Sequence, residues 1–217
     1  MKKIILIFAI LFLAIISCTL DSGIYTNTDE ISDIIISLHP KVILLNNILV
    51  KAQPEDGYCG IASVTIMSNY FNYTNYEAND LIKRLNAKKG ASNDDLRNWL
   101  QLEMPDKNIV FKSNMANKDM ISNIHASLNN NNPVLICFGA PNPYNKPFYD
   151  FHASVAYGIN LDKETVTIAN AYGHIEEISL VGFMNRMSYT EIDKYALFQQ
   201  YALLRNLMDK NCYFLIN

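Results

Sequence analysis

The stretch Gln53-Pro54-Glu55-Asp56-Gly57-Tyr58-Cys59-Gly60-Ile61-Ala62-Ser63-Val64-Thr65-Ile66-Met67 places a cysteine where a polar loop gives way to an apolar run. The loop carries Pro54 and Gly57, both turn formers. Beyond Cys59 the apolar positions 61, 64, 67 and 71 have helical spacing, which predicts a helix with one face on a core. A thiol in the first turn of such a helix lies beside the partial positive charge of unpaired N–H groups. That charge favours the thiolate, which is the nucleophilic form. Gly60 lets the backbone pass close to a bound carbonyl, and Tyr58 and Gly60 are candidate substrate-binding residues. A cysteine opening a core helix can equally be a small buried hydrophobe. Chemistry therefore needs partners from elsewhere in the chain.

A general base is offered by His152 in Phe151-His152-Ala153-Ser154-Val155-Ala156-Tyr157-Gly158, a predicted strand entered from a loop rich in proline and aromatic residues. His39, His125 and His174 have weaker contexts: before Pro40, on a polar helix, and after a turn glycine. An imidazole base needs a third group to hold its orientation. Asn170 in Ile168-Ala169-Asn170-Ala171-Tyr172-Gly173 ends the next predicted strand, and hairpin geometry would return it beside His152. Its amide oxygen can accept the ring N–H and fix the tautomer.

The surrounding elements follow from periodicity and punctuation. Val42 to Val50 reads as a strand. Capping-box patterns at Thr74-x-x-Glu77 and Ser92-x-x-Asp95 predict two helices, and Lys118 to Asn129 a third before Pro133. Val134 to Phe138, His152 to Ile159, Thr165 to Ala169 and Ile175 to Leu180 read as strands. Tyr189 to Met208 reads as helical, and Cys212 to Ile216 as a closing strand. Helices first and an antiparallel sheet afterwards define an α+β fold. No internal repeat and no linker interrupts the chain after residue 50.

Gln53 six positions before Cys59, the run Cys-Gly-x-Ala-Ser, a His-x-x-x-x-Tyr-Gly strand and an Asn-Ala-Tyr-Gly turn together resemble papain-like cysteine peptidases. Within them the pattern is most similar to the bacteriocin-leader (double-glycine) peptidases and their stand-alone relatives. The resemblance covers roughly residues 50 to 185. It implies a papain-like fold, N-terminal helices packed on a C-terminal antiparallel sheet, and a cysteine-type peptidase activity. It also implies four roles: Cys59 as nucleophile, His152 as base, Asn170 as orienter and Gln53 as an oxyanion donor. The chain departs from the pattern at Ile61, where Pro or Leu is common, at Asn170 in place of Asp, and at Ala171 in place of Pro. The stretch 189–208 is an addition, and no ATP-binding or membrane domain follows. Tyr58 to Ser63 also resembles phytochelatin synthases, which implies γ-glutamyl transfer as an alternative, but their histidine segment is missing. A catalytically silent papain-like binding lipoprotein is the other alternative.

The first residues carry a different signal. Met1-Lys2-Lys3, the apolar run Ile4 to Ile16 and then Ser17-Cys18 have the form of an ordinary cleaved signal or short anchor, or of a lipoprotein signal. The run is too short for the ~20 residues of a membrane-spanning helix. Ile15-Ile16-Ser17-Cys18 looks like a bacterial lipobox, which implies lipidation at Cys18. The expected layout is a signal peptide over 1–17, a polar tether with one short helix over 18–40, and the peptidase-like domain over 41–217. The protein is then exported and held at a membrane, periplasmic or cell-surface, by its lipid. Of 18 basic residues, Lys2 and Lys3 would be removed, leaving 16 against 21 acidic ones. A mildly acidic chain without a basic stripe is unsuited to nucleic acid. Four cysteines without a CxxC pair give no support for a structural zinc site, and no metal or other cofactor is expected. With Cys18 acylated, an odd set of three remains, which fits either a free reactive thiol or an intermolecular bridge. Cys137 and Cys212, in apolar strands, are expected to be structural. The expected partner is a peptide or protein substrate, and the expected state a monomer.

Overall fold

A computed structural model describes residues 28–144 and 147–217. Cys18 and the signal-like run lie outside these residues. No helix among the described residues is long and apolar enough to cross a membrane.

The framework is an antiparallel sheet with helices laid on it, as the α+β reading required. The elements in chain order are α1 (Thr28–Ser37), β1 (Val42–Leu44), α2 (Cys59–Asn72), α3 (Ala78–Leu85), α4 (Asn93–Glu103), β2 (Ile109–Lys112) and α5 (Asn117–Asn129). There follow β3 (Val134–Pro141), β4 (Tyr149–Asn160), β5 (Thr165–Asn170), β6 (His174–Ser179), α6 (Leu180–Met187), a 3-10 turn (Ile192–Lys194), α7 (Leu197–Leu204) and β7 (Cys212–Ile216). The sheet order is β2-β7-β3-β4-β5-β6, with β1 paired to the last residues of β4. β4 is the central strand and is buried without interruption from His152 to Ile159. A strand covered on both faces reads as a continuous apolar run rather than an alternating one.

Helix α2 crosses this strand. Every residue from Gly60 to Asn69 is buried, so the helix is a rod through the core rather than an amphipathic cover. Two of its hydroxyls are satisfied within the helix, Ser63 and Thr65 donating to the carbonyls of Cys59 and Ile61 at 2.9 and 2.8 Å, and Ser68 donates to the Glu103 carboxylate at 3.1 Å. That removes the cost of burying unpaired hydroxyls. At Gly60 a Cβ would meet Leu96 and Ala91 at 2.8 and 2.9 Å. Glycine is therefore required there for α4 to approach, a packing reason the sequence did not reveal.

Several expectations are corrected. In the segment read as a tether with one short helix, α1 is part of the domain, with Ile31 and Ile34 buried in the core. The capping box expected at Thr74 is displaced: Glu77 is the N-cap of α3, and its N–H donates to the Asp80 carboxylate at 2.9 Å. Thr74 is drawn away because its hydroxyl donates to Asn69 Oδ1, which also takes the Tyr76 N–H. The expected box at Ser92 and Asp95 is formed. The long helix expected over 189–208 is broken. Tyr189 takes a left-handed backbone at φ 54°, and Phe151, Tyr189 and Tyr195 pack ring on ring, so helix resumes only at Leu197. Strand β2 and helix α6 had not been anticipated, although Leu180, Phe183, Met184 and Met187 carry a helical spacing.

Candidate active site

The sheet and α2 meet at their ends, and the sequence-predicted residues collect there. Cys59 is the first residue of α2. His152 lies near the start of β4, and Asn170 ends β5 directly across from Ser154. The strand partners Phe138 and His152 align β3 with the same point. Cys59 and His152 line one small pocket of about 90 Å³, walled further by Leu96, Phe151, Tyr189 and Met208. Larger surface hollows exist, one of about 690 Å³ lined among others by Asn69, Tyr70 and Tyr73 at the far end of α2. That hollow offers no thiol or imidazole, so size is a poor guide to the chemistry.

The imidazole is held in one state. His152 Nε2 and Asn170 Oδ1 are 2.9 Å apart. The same oxygen accepts the backbone N–H of Tyr172 at 2.9 Å, so it is an oxygen and the ring nitrogen facing it carries the proton. The neutral ring then bears its lone pair on Nδ1. Tyr172 stacks on the ring at 4.0 Å between centroids and 20° between planes, and Phe138 approaches at 5.8 Å. Gly173, at φ +93°, closes the turn through its N–H to the Asn170 carbonyl at 2.8 Å.

The same turn brings in Gln53. Its backbone N–H donates to the Ala171 carbonyl at 2.7 Å, and Ala52 bridges to Tyr172. Ala171 packs with Ala62 and Ala78 in a small cluster against Cys59. Gln53 is buried, and its Oε1 has no hydrogen-bond partner among the described residues. A buried amide left partly unpaired is an exception that needs a reason. Tyr58, at the N-cap, is half-buried with the Lys89 ammonium 5.7 Å from its ring centre. His125 is a satisfied core histidine, its Nε2 bonded to the Pro40 carbonyl at 2.8 Å.

Burial dominates the electrostatics. It pushes the Cys59 thiol above its ordinary value, against the backbone N–H groups of Ala153 and Gly60, which favour the thiolate. It pushes Cys137 well above that range and Cys212 to about 12. Only Cys59 of the three has backbone N–H groups opposing its burial, and it is the one at a helix start. Burial also depresses His152 to about 4, although the Asn170 hydrogen bond and Glu176 act in the opposite sense. Burial thus disfavours the charged form of both the Cys59 thiol and the His152 imidazole. Cys137 and Cys212 face each other across β3 and β7, and both are free thiols.

Two residues at the site escaped the sequence reading. Glu176 accepts the Asn170 amide N–H at 2.8 Å, and Arg186 pairs with its other oxygen at 2.7 Å. A charged pair between a strand and the last turn of the following helix carries no signal of its own in sequence. Beyond Tyr172 lies a trough of about 420 Å³ lined by Pro141, Pro143, Tyr144, Tyr172 and His174, so part of the aromatic loop borders the site.

The depressed imidazole has a measurable consequence for stability. Above pH 6.5 His152 is neutral in both folded and unfolded chains and contributes no pH dependence. Between 6.5 and about 4 the unfolded chain binds the proton and the folded one does not, so stability falls as pH falls. Urea unfolding at pH 4.5 should show a loss of about 2–3 kcal/mol relative to pH 7 that His152→Gln abolishes. An equal pH dependence in the variant would place the imidazole in water.

The chain matches the Peptidase_C39 like family over residues 45–197. A solved structure of a C39-like peptidase from Bacillus anthracis superposes with a TM-score of 0.51 at 13% identity, covering 82% of this chain and 98% of that one. At that identity the likeness speaks for the fold alone. No curated protein matches. The matched span contains Gln53, Cys59, His152 and Asn170 and reaches the start of α7, and on it the chain belongs to the C39-like peptidase family.

Proposed function

We propose that the protein is a thiol peptidase acting on a peptide or protein amide bond, with Cys59, His152, Asn170 and Gln53 as its machinery. The observation that carries this reading is the hydrogen bond from His152 Nε2 to Asn170 Oδ1 beside a pocket shared with Cys59. It leaves Nδ1 as the basic nitrogen. In the reaction, Cys59 Sγ forms a bond to the substrate carbonyl carbon while its proton passes to His152 Nδ1. The carbonyl π electrons move to the oxygen, which accepts hydrogen bonds from the Gln53 amide and the Cys59 backbone N–H. The first N–H groups of a helix have no intrahelical partner and are available for this. Collapse of the intermediate breaks the C–N bond, and the imidazolium proton goes to the departing amine. Water, deprotonated by His152, then cleaves the thioester and regenerates the thiol.

A thiol and an imidazole whose charged forms are both disfavoured at rest suit this sequence. The thiolate need exist only as it attacks, when oxyanion donors and the nearby amides are in place. The trough beyond Tyr172, with its proline and tyrosine walls, is a reasonable path for the substrate past the imidazole.

The test is appearance of new peptide N-termini when purified protein is mixed with a denatured protein digest pool, read by terminal-amine mass spectrometry. Wild type should generate them and Cys59→Ala should not. Gln53→Ala should slow the same cleavages about a hundredfold or more, since losing one oxyanion donor costs ~2.7–4 kcal/mol in the transition state. Cleavage that survives Cys59→Ala would remove the proposal.

We further propose that the domain works at a membrane surface, through acylation of Cys18 after removal of residues 1–17. Two or more acyl chains give stable anchoring where one alone binds marginally. Wild type should partition with membranes and start at residue 18. Cys18→Ser should be found in the aqueous fraction or as uncleaved precursor. A soluble wild-type protein with another mature N-terminus would contradict the anchor and leave the enzyme proposal standing.

A further inference from the structure

Asn170 is a neutral orienter, and a neutral amide stabilises a positively charged imidazole less than a carboxylate does. The structure places a carboxylate one residue further out. Asn170 Oδ1 meets His152 Nε2 at 2.9 Å, and Asn170 Nδ2 donates to Glu176 Oε2 at 2.8 Å. Glu176 Oε1 accepts from Arg186 at 2.7 Å. The carboxylate thus divides its oxygens, one turned to the Asn170 amide and one to the guanidinium. Both side chains of the ion pair are mostly buried, with 17% and 21% exposure. Partial burial makes the field between the groups larger than it would be in water.

From this geometry we propose that Glu176 is a positioning residue that acts on His152 through Asn170. It rests on the peptidase reading above and deepens it. By accepting the Asn170 N–H, the carboxylate excludes the flipped amide, in which an N–H would face the His152 N–H. It also polarises the amide, raising the negative charge on Oδ1 where the imidazolium forms. Charge-assisted hydrogen bonds are stronger than neutral ones, and a chain of them is mutually reinforcing. An Asn–Glu pair thereby does at two removes what an aspartate would do by direct contact.

Other groups act on the same ring. Asp150 lies on the same strand and is bonded to Asn142 and Gln199. His174 stands on β6, Tyr172 stacks on the ring, and Cys59 faces the shared pocket from α2. Beside Glu176, Lys194 lines the same surface hollow and is bonded to Glu191 and Tyr149. Among these acidic residues only Glu176 touches the residue that holds the imidazole.

The test is a two-residue cycle read by iodoacetamide alkylation of Cys59, followed by intact mass and peptide mapping from pH 5 to 9, with thermal unfolding as the folding control. Glu176→Gln keeps an acceptor for the Asn170 N–H and removes the charge, so alkylation at pH 7 should fall about tenfold. Asn170→Asp in the native background sets two carboxylates in direct contact and should also slow it. Combining Asn170→Asp with Glu176→Gln places one carboxylate next to the imidazole and should restore the rate to within about threefold of wild type. Arg186→Gln, which removes the counter-charge, should shift the pH profile opposite to Glu176→Gln and serves if that variant does not fold. A wild-type rate and profile in Glu176→Gln, or a double variant no faster than either single one, would overturn the proposal. If wild-type Cys59 itself fails to react ahead of Cys137 and Cys212, the peptidase reading fails first, and the two failures are distinct.

Discussion

The bond between His152 Nε2 and Asn170 Oδ1 is the constraint on which the site depends. Asn170 ends β5 and His152 starts the buried part of β4, so the bond exists only when those strands are in register. A slip by one residue would turn either side chain to the opposite face of the sheet. The turn after Asn170 is tied as tightly: Tyr172 N–H to Oδ1, Gly173 N–H to the Asn170 carbonyl, Ala171 N–H to Ser154 Oγ at 3.2 Å. From that turn a single backbone bond holds Gln53, and Ala171 supplies the floor under Cys59. One asparagine thus ties the imidazole to the turn that carries Gln53 and Ala171.

Burial sets the chemical character of the pair. Desolvation opposes full ionisation of both partners at rest: upward on the thiol, downward on the imidazole. What favours charge is arranged around them rather than in water. Backbone N–H groups of Ala153 and Gly60 face the sulfur, and the Asn170 side chain faces the ring. Under the peptidase proposal, this arrangement suits proton transfer coupled to attack. It also separates Cys59 from Cys137 and Cys212, whose thiols have burial without comparable N–H support.

How much was legible depended on whether the signal was local. Cys59 announced itself because a loop, a helix start and a thiol coincide within a few residues. The pairing of His152 with Asn170 was legible because each sits beside punctuation, an aromatic-proline loop and an Asn-Ala-Tyr-Gly turn, joined by one hairpin. The α+β layout followed from the order of periodic segments. What stayed hidden was tertiary. Gly60 is set by the closeness of Leu96 and Ala91, and the break at Tyr189 by rings from β4 and from Tyr195. Asn69 captured Thr74 and moved a helix start, and Glu176 gains meaning only when β6 lies beside the end of β5. α1 read as tether because its polar flanks dominate, while two buried isoleucines bind it to the core.

The most direct measurement of the central claim is the site and rate of thiol alkylation in the native protein. Wild type and His152→Gln would be treated with limiting iodoacetamide at pH 7, and the adduct mapped by peptide mass. A thiol activated by an oriented imidazole predicts that Cys59 is modified ahead of Cys137 and Cys212. Its rate should then fall by an order of magnitude or more without His152. Modification of Cys137 or Cys212 first, or a Cys59 rate indifferent to the loss of His152, would contradict the account.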